Sequence, residues 1–214
     1  TDGSHDRSLE AYMNIPIGDK SAIRISAYDL KDGGWIDNEL ASKTFTNSGV
    51  TINNSEHAED DYNSLTKDGF RIRFASEIGN QNLDLSILEQ SSSFGGSWET
   101  DEDVGARANS RFSEEHFDDE FSQISLSLSG DISDNLEYVF TSSMFDRDVD
   151  YTYDYTEYVE YYNYDGPTYT CDYYDYYYYG NISGCQDPRM SYTQTDAHER
   201  ESYEFRVQSK GDSG

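Results

Sequence analysis

The sequence predicts an all-β fold, an antiparallel up-and-down arrangement of about seven strands, on three observations. First, seven segments alternate apolar and polar residues with a period of two: 8–16, 22–30, 70–77, 82–90, 121–130, 136–150 and 202–209. A period of two sends neighbouring side chains to opposite faces of a strand. Second, the connections 17–21, 78–81 and 131–135 are tight, whereas 31–69, 91–120 and 151–201 are long and polar. Third, the two kinds of connection strictly alternate. Successive antiparallel connections lie at opposite ends of a sheet, so the short turns gather at one end and the long loops at the other. A transmembrane β-barrel of the outer-membrane type has that asymmetry, with short periplasmic turns and long extracellular loops.

Each element has its own justification. In the second segment Ile23, Ile25 and Ala27 share one face and Arg24, Ser26 and Tyr28 the other. In the third, Phe70, Ile72 and Phe74 oppose Arg71, Arg73 and Ala75; in the fourth, Leu83, Leu85 and Ile87 oppose Asp84 and Ser86. In the fifth, Ile124, Leu126 and Leu128 oppose Gln123, Ser125 and Ser127; in the seventh, Tyr203, Phe205 and Val207 oppose Glu204, Arg206 and Gln208. The sixth alternates from Leu136, Tyr138 and Phe140 on through Val149, Tyr151, Tyr153 and Tyr155, which predicts a strand projecting beyond a bilayer core. Pro16 ends the first segment, where a missing ladder N–H costs least. Gly18-Asp19-Lys20, Gly79-Asn80-Gln81 and Ser133-Asp134-Asn135 carry residues suited to tight turns.

Composition narrows the function classes. Acidic residues number 43 against 15 Lys and Arg, a formal charge of −28, and apolar residues make up 35%. A water-soluble domain this polar lacks material for a dense core, whereas a barrel with a polar lumen needs only every second strand residue apolar. A nucleic-acid partner would require clustered cations, and none stand out. No apolar run is long enough for a transmembrane helix. The polar start at Thr1-Asp2-Gly3-Ser4 is not expected to be a signal peptide, and the turn-like Gly211-Asp212-Ser213-Gly214 reads as an interior stretch, so the chain is expected to be a piece of a longer or processed protein. A soluble sandwich shows the same alternation. Loops this long, and Arg and Glu on the polar face in mid-strand, favour the barrel.

Fourteen of the 20 tyrosines lie between Tyr151 and Tyr179, interleaved with Asp154, Glu157, Glu160, Asp165, Asp172 and Asp175. Flat aromatic faces flanked by acceptors suit a sugar or a catechol. Tyr151, Tyr153, Tyr155, Tyr158, Tyr176 and Tyr178, with Trp35, are the candidate ligand contacts. An extended, half-wet hairpin or an aromatic girdle at the lipid headgroups would select tyrosine equally well. Cys171 and Cys185 enclose a short polar loop and are expected to form a disulfide in an oxidising compartment. No histidine lies between them, so they make no zinc site.

Catalytic patterns are absent: there is no HExxH, GxSxG, GxGxxG or phosphate-loop motif, and no cofactor site is expected. The acidic runs 56–61, 99–103 and 114–120 lack the spacing of a calcium loop and read as solvated charge. The chain is expected not to be an enzyme. A carbohydrate-active enzyme would need one defined carboxylate pair, and the acids are too many to nominate two.

Several short stretches resemble TonB-dependent outer-membrane receptors. Asp32-Gly33-Gly34-Trp35-Ile36-Asp37-Asn38, after a strand preceded by Asn14-Ile15-Pro16-Ile17-Gly18, looks like that family's D-G-[YW]-I-D-N element. Asn109-Ser110-Arg111-Phe112 with Phe117-Asp118-Asp119-Glu120-Phe121, the run Phe145-Asp146-Arg147-Asp148-Val149-Asp150-Tyr151, and Glu204-Phe205-Arg206-Val207-Gln208-Ser209 resemble later strands in the same order. The resemblance implies the first part of a 22-stranded barrel, downstream of a plug domain that is absent here. It implies a Gram-negative outer membrane and contact with its lipid. It also implies uptake of a nutrient such as a ferric siderophore, a vitamin or an oligosaccharide, driven by the TonB complex through the plug. The alternative is a secreted or self-assembling acidic, tyrosine-rich structural β protein.

Overall fold

In the computed structural model, residues 3–210 are described. The polar start at Thr1 and Asp2 and the turn-like 211–214 lie outside them. The chain is all-β. Its main sheet has seven antiparallel strands: β1 (Arg7–Ile17), β2 (Ser21–Asp32), β6 (Leu65–Ile78), β7 (Gln81–Phe94), β9 (His116–Ser133), β10 (Leu136–Asp154) and β11 (Ser191–Ser209). They pair in chain order, β1-β2-β6-β7-β9-β10-β11, and do not close on themselves. The long connections carry β3 (Asp37–Asn38), β4 (Ser42–Thr44), β5 (Thr51–Asn53), β8 (Ala108–Asn109), α1 (Thr156–Tyr161) and α2 (Tyr173–Tyr179).

Registers across the sheet are continuous, so side chains align in rows. One row runs Met13, Ile25, Ile72, Ile87, Ile124, Met144 and Glu201. The next row toward the turns runs Ile15, Ile23, Phe74, Leu85, Leu126, Ser142 and Tyr203. Toward the loops the same face turns acidic, with Asp29, Asp68, Glu89, Glu120, Asp146, Asp148 and Glu201 ending the apolar stretch. The opposite face is the reverse. It is polar near the turns, where Arg73 pairs with Asp84 and the Arg24 guanidinium lies 4.9 Å from the Tyr12 ring centroid. Near the loops it carries Phe94, Phe117, Tyr151 and Tyr153. Amphipathicity therefore inverts partway along β7, β9 and β10.

The buried core lies in the loop layer and not against the apolar rows. Phe45, Ile52, Phe112 and Val159 form one cluster, with Ala41 and Val50 against it. On the sheet, by contrast, Met13 is 55%, Ile124 47%, Met144 50% and Phe205 66% exposed.

The three long connections fold onto one another through buried amides. Asn38 Nδ2 donates to the His57 and Arg111 carbonyls, and Asn38 Oδ1 accepts from Arg111 N at 2.7 Å. Asn63 Oδ1 accepts from Trp35 N and Ile36 N, both at 2.8 Å. Asn54 bridges Ala41 N and the Glu39 carbonyl. Asp165 accepts from both Asn47 N and Asn47 Nδ2 at 3.0 Å. Backbone groups of irregular segments must find partners once water is excluded, and an asparagine serves two at once. The 32–38 stretch is the hinge of this layer. Gly34 has φ +84°, and a Cβ there would stand 2.3 Å from the Asp61 carbonyl oxygen. Ile36 is fully buried behind it.

Two parts of the tyrosine-rich segment go beyond the sequence expectation of a long loop. The 176–179 run is helical. Asp172 caps α2 by accepting from Tyr174 N and Asp175 N, Gly180 closes it in the left-handed conformation, and Tyr173–Tyr177 and Tyr174–Tyr178 stack one turn apart. The last strand begins at Ser191 and not at Ser202, because 191–201 pairs with the outer half of β10, Asp154 opposite Ser191. That stretch is polar on both faces and gives no alternating signal. The Cys171–Cys185 disulfide is formed as expected.

Replacing Asn63 with alanine orphans two backbone N–H groups and is expected to cost about 1–3 kcal/mol for each that stays dry. Hydrogen exchange should rise at Trp35 and Ile36 while the sheet stays protected. Reducing the disulfide releases a closed loop of 14 residues' separation. Cysteine-to-serine variants should lose about 3 kcal/mol of loop constraint, and limited proteolysis should then cut between Cys171 and Cys185 first.

Candidate functional site

Where the loop layer meets the aromatic end of the sheet, it encloses a cavity of about 700 Å³. Drug-sized and sugar-sized ligands occupy cavities of roughly 300–1,000 Å³. β7 ends in Phe94, and the Gly95-Gly96 turn that follows leads to Trp98 at the rim. A Cβ on Gly96 would stand 2.0 Å from the Tyr62 ring, so only glycine lets the chain pass there. β9 contributes Phe117, β10 contributes Tyr153, the cap of α1 brings Tyr155 and α1 itself brings Tyr158.

These rings are in contact. Phe94 lies 5.6 Å from both Trp98 and Phe117, Phe117 stacks on Tyr151 at 5.8 Å, and Tyr151 is 5.3 Å from Tyr153. Tyr192 joins Tyr151 to Tyr155, Tyr155 touches Tyr158 at 5.7 Å, and Tyr158 lies 4.2 Å from Tyr162. The phenol of Tyr158 sits above its ordinary pKa. The hydrogen bond with Tyr162 is the largest cause, followed by loss of solvent.

Polar groups close the floor. Glu115 Oε1 accepts from Asp154 N and Oε2 from Ser97 N, both at 3.0 Å, so one carboxylate ties the second long loop to the third. Asp154 in turn accepts from Phe112 N and Thr156 N. Tyr62 hydroxyl lies 3.2 Å from Glu115 and accepts from Asn109 Nδ2 at 2.6 Å. Burial raises the Tyr62 phenol above its usual value, so it remains a neutral donor. Burial alone would lower the Arg111 guanidinium, but Glu115, Tyr62 and Glu99 outweigh it, and its pKa is raised. Arg111 Nη2 holds Glu99 at 2.9 Å, while its buried Nε has no hydrogen-bond partner. Among the described residues, no group of three or more His, Cys, Asp or Glu is placed to hold a metal ion.

Of the residues singled out in the sequence, Tyr153, Tyr155 and Tyr158 line the cavity, and Tyr151 reaches it through Phe117 and Tyr153. Trp35 does not line it; its backbone is pinned by Asn63 and the residue is 43% exposed. Tyr176 and Tyr178 are on α2 and do not line it either. Phe94, Trp98, Arg111, Glu115 and Phe117 were not among the candidate ligand contacts; Arg111 and Phe117 entered only through the resemblance, and Glu115 only within the acidic run 114–120. Phe94 and Phe117 occupy the face that is polar lower down the same strands, an inversion of phase that period-two reading passes over.

Comparison of the chain with family models, with curated proteins and with solved structures found no match.

Tyr62→Phe removes the acceptor of Asn109 and a donor to Glu115. It is expected to destabilise the loop layer by about 1–3 kcal/mol, read as a lower denaturation midpoint of near-ultraviolet circular dichroism. Glu115→Gln should do the same and free the segment around Asp154 for hydrogen exchange.

Proposed function

We propose that the chain is a section of an outer-membrane β-barrel receptor that takes up a small nutrient ligand, of the siderophore, vitamin or oligosaccharide class, from its extracellular loops. The apolar rows meet outer-membrane lipid, the Arg- and Ser-bearing face lines a wet lumen, and the loop layer stands outside with the cavity. The resemblance to TonB-dependent receptors adds a plug domain and the TonB complex as partners that drive release.

One observation carries this reading: the upper margin of the apolar face slants. The last apolar residue is Leu9 on β1, Ala27 on β2, Phe70 on β6, Ile87 on β7, Ile124 on β9, Met144 on β10 and Tyr203 on β11. Followed through the registers, that margin descends three rows across six strand-to-strand steps. A row is two residues, about 6.6 Å, and neighbouring strands are about 4.8 Å apart, which gives a slant of roughly 35°. Barrel strands tilt about 35–45° from the membrane normal, so a level lipid boundary cuts the rows at that angle. The band itself fits: Phe70 to Ile78 covers about 26 Å along the strand, or about 22 Å once tilted, against the roughly 25 Å of an outer-membrane barrel. No helix among the described residues is long and apolar enough to cross a membrane.

With seven strands the two edges run in the same direction. Pairing them with each other, within or between copies, would be parallel. An antiparallel barrel therefore needs an odd number of further strands. Those edges also favour the alternative, a self-assembling β protein, since every residue of β1 is exposed.

Membrane fractionation of the native source tests the choice. The chain is expected in the outer-membrane fraction, retained through a carbonate wash, released by detergent and heat-modifiable on a gel. Recovery as a detergent-free soluble monomer would overturn the reading, and filaments in the electron microscope would favour the alternative.

A further inference from the structure

We infer that the loop cavity binds an organic cation, a quaternary ammonium compound, in preference to neutral and anionic ligands. This goes beyond the uptake reading by fixing the charge of the ligand, and rests on that reading only for where the ligand goes next. The lining carries the charge. Glu99, Glu115, Asp154 and Glu157 line the cavity against one guanidinium, Arg111. Arg111 is already taken: it holds Glu99 at 2.9 Å and lies 3.7 Å from Glu115. His116 also lines the cavity, but Asp150 pairs with it at 2.8 Å, so a proton on that ring meets its own counter-charge. The site therefore keeps a negative potential, in a chain of formal charge −28. Such a field draws cations in and repels an anionic chelate on approach.

The carboxylates also decide which kind of cation. Both oxygens of Glu115 accept backbone N–H groups, from Asp154 and Ser97, and both oxygens of Asp154 accept from Phe112 and Thr156. These two supply charge while much of their hydrogen-bonding capacity is spent. Of the four, Glu157 alone has no hydrogen-bond or ion-pair partner among the described residues. A sugar or a primary ammonium needs several free acceptors to replace its water. A quaternary ammonium donates no hydrogen bond, spreads its charge over its alkyl groups, and is held by a negative field and by aromatic rings. The rings are present: Phe94, Trp98, Phe117, Tyr153, Tyr155 and Tyr158 line the same cavity. They brace one another, which holds the wall in shape. Trp98 is still 62%, Tyr155 39% and Tyr158 38% exposed, so each keeps surface open to a ligand.

The chain has two tryptophans, Trp35 and Trp98. A Trp35→Phe protein therefore reports from Trp98 alone. Titrating it with choline, benzyltrimethylammonium, maltohexaose, ferric citrate and dimethylbutanol, the uncharged carbon isostere of choline, tests the inference by fluorescence and calorimetry. At least one of the two cations is expected to bind about tenfold or more tightly than each of the other three, and to weaken as salt is added. By calorimetry, Trp98→Ala should weaken that cation about tenfold and Glu157→Gln about threefold. Tyr158→Phe keeps the ring and loses only the hydroxyl, so it should leave binding within about threefold of the parent. Trp98 and Glu157 lie outside the buried core, and circular dichroism checks that each variant is folded. Three results overturn the inference: the isostere, the hexasaccharide or ferric citrate binding as tightly as both cations, no binding of either cation by a folded protein, or cation binding that survives both Trp98→Ala and Glu157→Gln. The two claims fail separately: cation binding by a soluble protein overturns uptake but keeps the site, and membrane insertion without cation binding does the reverse.

Discussion

The structure depends on one constraint, an unbroken antiparallel register across seven strands. Because side chains alternate, a one-residue slip anywhere would move a whole strand's apolar set to the other face. The registers keep Ile25, Ile72, Ile87 and Ile124 in one row. The turns protect that alignment. Gly18 and Gly79 adopt φ +67° and +63°, which lets the chain reverse without an extra residue. Once the register is set, the slanted apolar band, the acidic border above it and the aromatic patch on the opposite face all follow from the side-chain order.

A sheet organised this way has no core of its own. Its apolar rows are exposed, and the packed interior belongs to the loops, around Phe45, Ile52, Phe112 and Val159. Folding the loops is costly in backbone groups, and Asn38, Asn54, Asn63 and Asn109 meet much of that demand from inside. Glu115 and Asp165 do the same between loops distant in sequence. The cavity is the by-product of that layer: its floor is the polar network and its walls are the aromatic ends of the strands.

Much of the fold was legible. All seven strands, the three tight turns and the Cys171–Cys185 pairing follow from period-two alternation, turn chemistry and cysteine count. Strand ends were not, because β9 and β10 continue into stretches such as 116–120 whose acidic face gives no apolar signal. The start of β11 was hidden for the same reason: 191–201 is polar on both faces and is held by pairing alone. The helix Tyr173–Tyr179 lay inside a segment read only as a long loop, because tyrosine favours strands and masks helical signals; the cap at Asp172 and the glycine at 180 set it. For the cavity, the tyrosine richness pointed to Tyr153, Tyr155 and Tyr158. Trp98 and Arg111 were out of reach, since only the folding of two loops together brings them beside those rings. The D-G-G-W-I-D-N stretch was legible as a motif, yet its role is architectural: Gly34, Ile36 and Asn38 anchor the loop layer, and Trp35 is on the outside.

The central claim is that the apolar rows face lipid and end along a slanted margin. Nitroxide labels placed singly at residues 82–91 of β7 in liposome-reconstituted protein test it most directly, by comparing accessibility to oxygen with accessibility to a nickel chelate. The account requires alternation, with oxygen favoured at Leu83, Leu85 and Ile87, and a switch to the nickel chelate at Glu89 and beyond. On β2 the switch must come one row nearer the loops, at Asp29. Uniform nickel accessibility along β7, or the same row of switching on both strands, would contradict it.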